Sequence, residues 1–207
     1  MVVDTTLNIL RYPGGKQRHL PYFSDFLPNP NTINGYYIEP FVGGASVFFA
    51  INPKQSILSD VNQELIDLYK GIKENPKKVW QIYSELPNTK YGYYQIRDQV
   101  LKGKSLTYRA ARTLFLNRTC FKGMWRHNAS GKFNVGYGGQ SRRWVIDENS
   151  LIEVSQRLKK AVLRVSNFEP IIDQANHGDF LFLDPPYIPG KLKFQNDHYQ
   201  LNKFSYK

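Results

Sequence analysis

Apolar residues recur along this chain at two different spacings, and the switching between them sketches a fold. Residues 36–42, Tyr-Tyr-Ile-Glu-Pro-Phe-Val, read as a short apolar strand that runs into Gly43-Gly44, and the apolar stretch Ala45 to Ile51 starts a helix. Ser56-Ile57-Leu58-Ser59-Asp60 is a second short strand, ending on an acid. Behind it Leu65, Leu68, Tyr69 and Ile72 fall at i, i+3, i+4 and i+7, which predicts an amphipathic helix closed by Asn75-Pro76. Val79, Ile82, Tyr83 and Leu86 repeat that spacing in a helix ending at Pro87. Tyr108 to Arg118 reads as helix, whereas Arg118 to Trp144 is glycine-rich without a sustained period and predicts loop. Asn149-Ser150 is the expected cap of a helix with Leu151, Val154, Leu158 and Val162 on one face. Leu163 to Phe168 and Asp179 to Asp184 read as strands. The second, with Phe180-Leu181-Phe182-Leu183 in a row, is expected to be buried on both faces. Strand and helix patterns alternate at both ends of the chain, so the fold class is α/β with a parallel sheet, and residues 88–145 form an insertion between 1–87 and 146–207.

Charge changes the picture of that insertion. The 207 residues carry a formal net charge of +11, and between Asn88 and Val145 there are twelve Lys/Arg against one acid, Asp98, so 12 − 1 places the whole excess there. Basic residues interleaved with aromatics suit a polyanion, and nucleic acid better than a membrane surface. A solvated basic face without a ligand is the plainer alternative. No apolar run reaches the ~18–20 residues that a bilayer span requires. Met1 to Arg11 lacks a positive cluster followed by an apolar stretch, so no signal peptide is expected. One cysteine, Cys120, excludes a disulfide framework and fits a reducing, cytoplasmic compartment; with four scattered histidines it offers no metal spacing.

Two segments carry candidate chemistry. Glu39-Pro40-Phe41-Val42-Gly43-Gly44 ends the first strand, where glycines let a ligand approach the backbone. Two glycines equally suit a tight strand-to-helix turn. Asp60, closing the next strand, stands where such folds place an acid for a ribose hydroxyl, so the pair points to an adenosine-containing cofactor. Asp184-Pro185-Pro186-Tyr187 follows the apolar strand. Its prolines hold an acid, a free carbonyl and an aromatic face in fixed relation, the groups needed to grip an amino group on a planar base. A proline-rich turn is the alternative.

Taken together, these motifs resemble the Dam-like, D12 class of AdoMet-dependent DNA adenine-N6 methyltransferases. The resemblance runs through Arg11-Tyr12-Pro13-Gly14-Gly15-Lys16, the segment 39–44, Ser59-Asp60-Val61-Asn62, Asn117-Arg118, Gly131-Lys132-Phe133-Asn134-Val135 and Asp184-Pro185-Pro186-Tyr187, in the family's order. It implies a Rossmann-like sheet with an inserted target-recognition subdomain. Tyr12, Lys16, Glu39, Phe41, Gly43, Asp60, Phe168 and Asp184 would then bind S-adenosyl-L-methionine (AdoMet). Arg118, Lys122, Arg126, Asn128, Asn134, Arg142 and Arg143 would contact DNA, and Asp184, Pro185, Pro186 and Tyr187 would act on a flipped adenine. Family members often have Trp where Tyr12 stands. No covalent nucleophile is implied, which leaves Cys120 a small buried residue.

The same tetrad chemistry serves RNA or a protein glutamine as substrate, and a non-catalytic DNA-binding subunit is a reading of another class. The chain runs only twenty residues past Tyr187, where family members continue through a helix and further strands. The sheet is therefore expected to be incomplete at its C-terminal side, with 179–184 as an edge that a second polypeptide or self-association completes.

Overall fold

The computed structural model describes residues 7–12, 14–139 and 146–186. After a short helix α1 (Leu20–Phe23) the chain forms β1 (Tyr37–Glu39), α2 (Ser46–Ile51) and β2 (Ser56–Asp60). Four helices follow: α3 (Gln63–Glu74), α4 (Pro76–Glu85), α5 (Lys90–Arg97) and α6 (Leu106–Thr119). Then come α7 (Glu148–Leu158), β3 (Ala161–Val165), α8 (Glu169–Ile172) and β4 (Phe180–Leu181). All four strands are parallel, in the order β3-β2-β1-β4, so the predicted α/β class is the observed one.

The helices start where short polar side chains can hold their first N–H groups. Asn62 caps α3, Asn75 caps α4 ahead of Pro76, Thr89 caps α5 and Ser105 caps α6. Helix α6 packs most closely on α3 and α4, and at the crossing a Cβ on Gly71 would lie 2.5 Å from that of Ala110. Because α6 is enclosed, Ala110, Ala111, Leu114, Phe115 and Leu116 are all fully buried. The 88–145 range therefore contributes two helices to the same continuous core as α3, α4 and α7, and Trp125, Phe133 and Val135 extend that core beneath the following loops. The opposite face of the sheet is thinner: Ile38 and Ile57 pack on Ile171 of α8, with Leu181 and Ala175 beside them.

Four expectations are corrected. Helix α5 has no counterpart in the sequence reading: only Tyr93 and Ile96 supply apolar anchors, and Gly92 is there because a Cβ would strike Pro87. Helix α7 is capped by Asp147, whose Oδ1 accepts from Ser150 N–H at 2.8 Å, rather than at Asn149-Ser150. Val162 lies in β3 and not on the α7 face, and β3 covers 161–165 rather than 163–168. Pairing of Ser56–Asp60 with Ala161–Val165 sets that register, with Ala161 and Leu163 buried and Val162 41% exposed, the alternation of a strand with one face inward. The 179–184 segment is not buried on both faces: Phe180, Leu181 and Phe182 are half-buried and Leu183 is 49% exposed. Among the described residues β4 is a sheet edge, as the sequence reading expects of this segment.

Candidate active site and nucleic-acid interface

The strand order reverses between β1 and β4, because the chain steps outward from β1 to β2 and β3 and then returns to the far side. In parallel α/β sheets ligands bind outside the carboxyl ends of the strands at such a reversal of order. The segments 39–44 and 182–186 leave the sheet at this point.

The loop after β1 is braced from behind. Glu39 is 3% exposed, and its carboxylate accepts from Tyr37 O–H at 2.8 Å and from the main-chain N–H of Phe48. Burial pushes its pKa up to about 8, and the nearby Asp184 charge adds to the rise, against the hydrogen bonds and Lys16. Gly43 has φ +43°, and a Cβ there would stand 2.9 Å from the Tyr12 ring. Tyr12 thus covers the glycine turn, and Tyr69 O–H fixes it from below by donating to the Gly43 carbonyl at 2.7 Å. Asp60, at the end of β2, accepts from Gly43 N–H at 3.1 Å and from Asn62 N–H at 2.9 Å. Burial raises its pKa to about 6 despite these bonds. Phe41 and Phe168 stack on each other with ring centroids 5.4 Å apart.

Beyond β4, Asp184 pairs with Lys16, 168 residues away, and the Lys16 ammonium also donates to the Gly14 carbonyl at 3.1 Å. The predicted cofactor lysine and the predicted catalytic acid are therefore in direct contact. Pro185 is exposed and Pro186 half-buried. Tyr187, Arg142 and Arg143 lie outside the described residues.

The recognition stretch is more ordered than a loop prediction implies. Residues Arg126 to Asn134 fold back on themselves through the His127–Phe133 bridge, with Asn134 N–H donating to the Arg126 carbonyl at 3.0 Å. Arg126 Nε also donates to Asn134 Oδ1 at 2.9 Å, so these two predicted DNA contacts orient one another. Asn128 is exposed, but its Oδ1 accepts from Ser130 N–H, Ser130 O–H and Lys132 N–H, so its carbonyl is engaged in the turn. A bidentate grip on adenine would require that turn to open. Arg118 is only 4% exposed and is a wall of the fold rather than a reaching arm. It lines an open cleft of about 160 Å³ with Arg11, Cys120, Phe121, Lys122, Gly138 and Gly139. Lys122 holds its ammonium 5.3 Å from the centre of the exposed Phe121 ring. Cys120 is buried, its thiol pushed up to about 12 by desolvation, as befits a packing residue.

Sequence reasoning passed over Arg11, Phe121 and Tyr69. Arg11 opens the N-terminal motif without a role assigned to it and joins the cleft only through the fold, and Tyr69 sits at a core position of the α3 pattern. Phe121 was findable, as an aromatic beside a lysine in the basic segment. Part of the charge excess is structural. Arg112 is buried, donating to the carbonyls of Ile96 and Arg97 at 3.0 and 2.6 Å, and Arg109 pairs with Asp67 at 2.9 Å. Among the described residues no cluster of potential metal ligands occurs, and no helix is long and apolar enough to cross a membrane.

The model of the D12 class N6 adenine-specific DNA methyltransferase family matches residues 12–207 of this chain. A type II methyltransferase of Lactococcus lactis, M1.LlaDCHI, is 30% identical over 205 residues, covering 95% of this chain and 71% of the relative. M.MjaIII, a type II methyltransferase of Methanocaldococcus jannaschii, is 33% identical over 198 residues, 87% of this chain and 68% of its own length. The DNA adenine methylase of Escherichia coli K12 is 30% identical over 200 residues, with 95% and 70% coverage.

Proposed function

The chain belongs to the D12 class N6 adenine-specific DNA methyltransferase family, and from that premise we propose that it moves a methyl group from AdoMet to N6 of an adenine flipped out of duplex DNA. The observation that carries the reading is the meeting of Asp184 with Lys16 at the carboxyl end of the neighbouring strands β1 and β4, where Tyr12 covers the glycine turn.

The residues present fit AdoMet. Gly43, at positive φ, makes the tight turn on which the Tyr12 ring lies as a stacking face, Asp60 offers a carboxylate for ribose hydroxyls, and the Phe41–Phe168 pair gives a flat apolar surface for an adenine ring. When bound, AdoMet supplies a methyl group made electrophilic by its sulfonium. The remaining requirements fall on the chain. An adenine in the duplex has N6 hydrogen-bonded and stacked, so it must first leave the helix, at a cost of roughly a few kcal/mol. The Asp184 carboxylate and the Pro185 carbonyl accept the two amino hydrogens, which turns the nitrogen lone pair toward the methyl donor. Lys16 holds the carboxylate in orientation, since a carboxylate has lone pairs enough for an ammonium and an amino hydrogen together. The Tyr187 ring stacks on the base. Fixing two reacting atoms in line supplies most of the rate; the new N6–methyl bond replaces the sulfur–methyl bond, S-adenosylhomocysteine is the leaving group, and the surplus N6 proton passes by way of the Asp184 carboxylate to water.

DNA is held by the cleft of Arg11, Arg118 and Lys122 with the Phe121 ring beside it, by Arg126–Asn134, and by Arg142 and Arg143. A DNA substrate supports action in the cytoplasm. The second reading, that another polypeptide or a second copy completes the sheet, is favoured by the edge position of β4 among the described residues and by the exposed Leu183 just beyond it.

The test is to incubate the purified protein with labelled AdoMet and duplex DNA, duplex RNA or a glutamine-bearing peptide, then identify the modified group by mass spectrometry. N6-methyldeoxyadenosine from the duplex DNA is expected. Label on the RNA or the peptide with none on DNA would overturn the reading.

A further inference from the structure

The N-terminal motif and the DNA cleft are joined by one side chain. Asn117, one turn from the end of α6, is fully buried, and an amide buried there without partners would be costly. Both of its polar atoms are spent on a single distant residue. Its Oδ1 accepts from Arg11 N–H at 2.8 Å, and its Nδ2 donates to the Arg11 carbonyl at 2.9 Å, across 106 residues. The amide thus grips the Arg11 main chain as a neighbouring strand would. Arg11 faces two ways from this grip. Its side chain lies against Gly123 and lines the cleft with Arg118 and Lys122, while its main chain leads directly into Tyr12, whose ring covers Gly43 and Gly44. The residues after Asn117 run into Cys120, Phe121 and Lys122, the rest of that cleft.

We infer that Asn117 is a positioning residue that sets the cofactor motif and the DNA cleft in one geometry, so that its loss weakens the binding of both ligands although it touches neither. The inference rests on the proposed AdoMet and DNA sites. A leucine at 117 keeps the volume but leaves the Arg11 N–H and carbonyl without their partners, and the segment is free to leave the Gly43 turn and the Gly123 wall. An aspartate keeps the acceptor for Arg11 N–H but turns an oxygen toward the Arg11 carbonyl, so it releases the same segment from one side.

The experiment measures binding of S-adenosylhomocysteine by calorimetry, and of a mixed-sequence duplex by fluorescence anisotropy, well below the melting temperature. The proteins compared are wild type, Asn117→Leu, Asn117→Asp and Leu114→Ala. The last creates a cavity in the core beneath α6 but keeps both Asn117 hydrogen bonds to Arg11, and it reports what loss of stability alone does. The inference expects each ligand to weaken roughly tenfold in Asn117→Leu and in the same direction in Asn117→Asp, with both affinities unmoved in Leu114→Ala. If Asn117→Leu does not fold, Asn117→Asp carries the comparison alone. Affinities at wild-type values in a folded Asn117 variant, or weakening of one ligand only, overturn the inference. Wild-type protein that binds neither ligand would instead overturn the proposed function, and the inference with it.

Discussion

Asp60 is the carboxylate proposed for the ribose hydroxyls of AdoMet. It is drawn out of water at the end of β2 and held by two main-chain N–H groups, one of them from the glycine turn. Replacing it with alanine removes charge-assisted hydrogen bonds worth about 1.5–3 kcal/mol. AdoMet affinity measured by calorimetry is expected to fall on the order of tenfold to a hundredfold; unchanged affinity would remove Asp60 from the site. Glu39 yields a pH dependence instead. Its pKa stands at about 8 in the fold against an ordinary value of 4.5, so the folded protein holds a proton that the unfolded chain releases. A raised carboxyl contributes its full stability below the ordinary value and loses it as pH climbs through the folded one. The melting temperature of the ligand-free protein is expected to decline from about pH 4.5 to about pH 8 and to level off above it. Glu39→Gln, which can still accept from Tyr37 O–H, should flatten that decline; an equal slope in the variant would contradict the assignment. The positions of Glu39 and Asp60 at strand ends and of Gly43 in the turn were legible in the sequence, because strand ends and glycines mark themselves. The contact of Lys16 with Asp184 was not, because nothing local relates residues 168 positions apart.

Among the elements, those with a full apolar period were legible and those shaped by a neighbour were not. Helix α3 announced itself through Leu65, Leu68, Tyr69 and Ile72, all buried. Helix α5 did not, since it carries a glycine where Pro87 presses on it. The β3 boundary was misread because Val162 satisfies a helical spacing and a strand alternation equally well. Pairing with β2 decides between them, and pairing is not local. Gly71 makes the element-scale dependence testable. A side chain at that position meets Ala110 at the α3–α6 crossing, and overpacking of this kind costs about 1–3 kcal/mol. Gly71→Val should lower the melting temperature by several degrees, and an unaltered one would mean that the two helices separate freely. The edge at β4 carries its own expectation: sedimentation should find self-association that a charged residue at the exposed Leu183 abolishes. A strictly monomeric protein at high concentration would remove the second-copy reading.

For the molecule as a whole, the net charge of +11 and its concentration in residues 88–145 pointed to a polyanion before any motif did. The structure narrows that footprint, because Arg112 and Arg109 are committed to the fold. DNA affinity is expected to fall steeply with salt, with a log–log slope of about −0.9 for each phosphate neutralised. Charge reversal at Lys122 or Arg126 should make that slope shallower, whereas reversal at Lys54, Lys77 or Lys159 should leave it unchanged. Equal effects from both groups would show that the protein binds DNA by its overall charge. The central claim, however, is that Asp184 holds the amino group of a flipped adenine for direct methyl transfer. It is tested most directly by single-turnover methylation of duplex DNA with saturating AdoMet, comparing wild type with Asp184→Ala in folded, DNA-bound protein. The account predicts N6-methyladenine from the wild type and a loss of at least a hundredfold in the variant, on the order of what one positioned polar group supplies to a transition state. A variant that methylates at the wild-type rate would contradict it, and would reduce the Asp184–Lys16 pair to a contact of the fold.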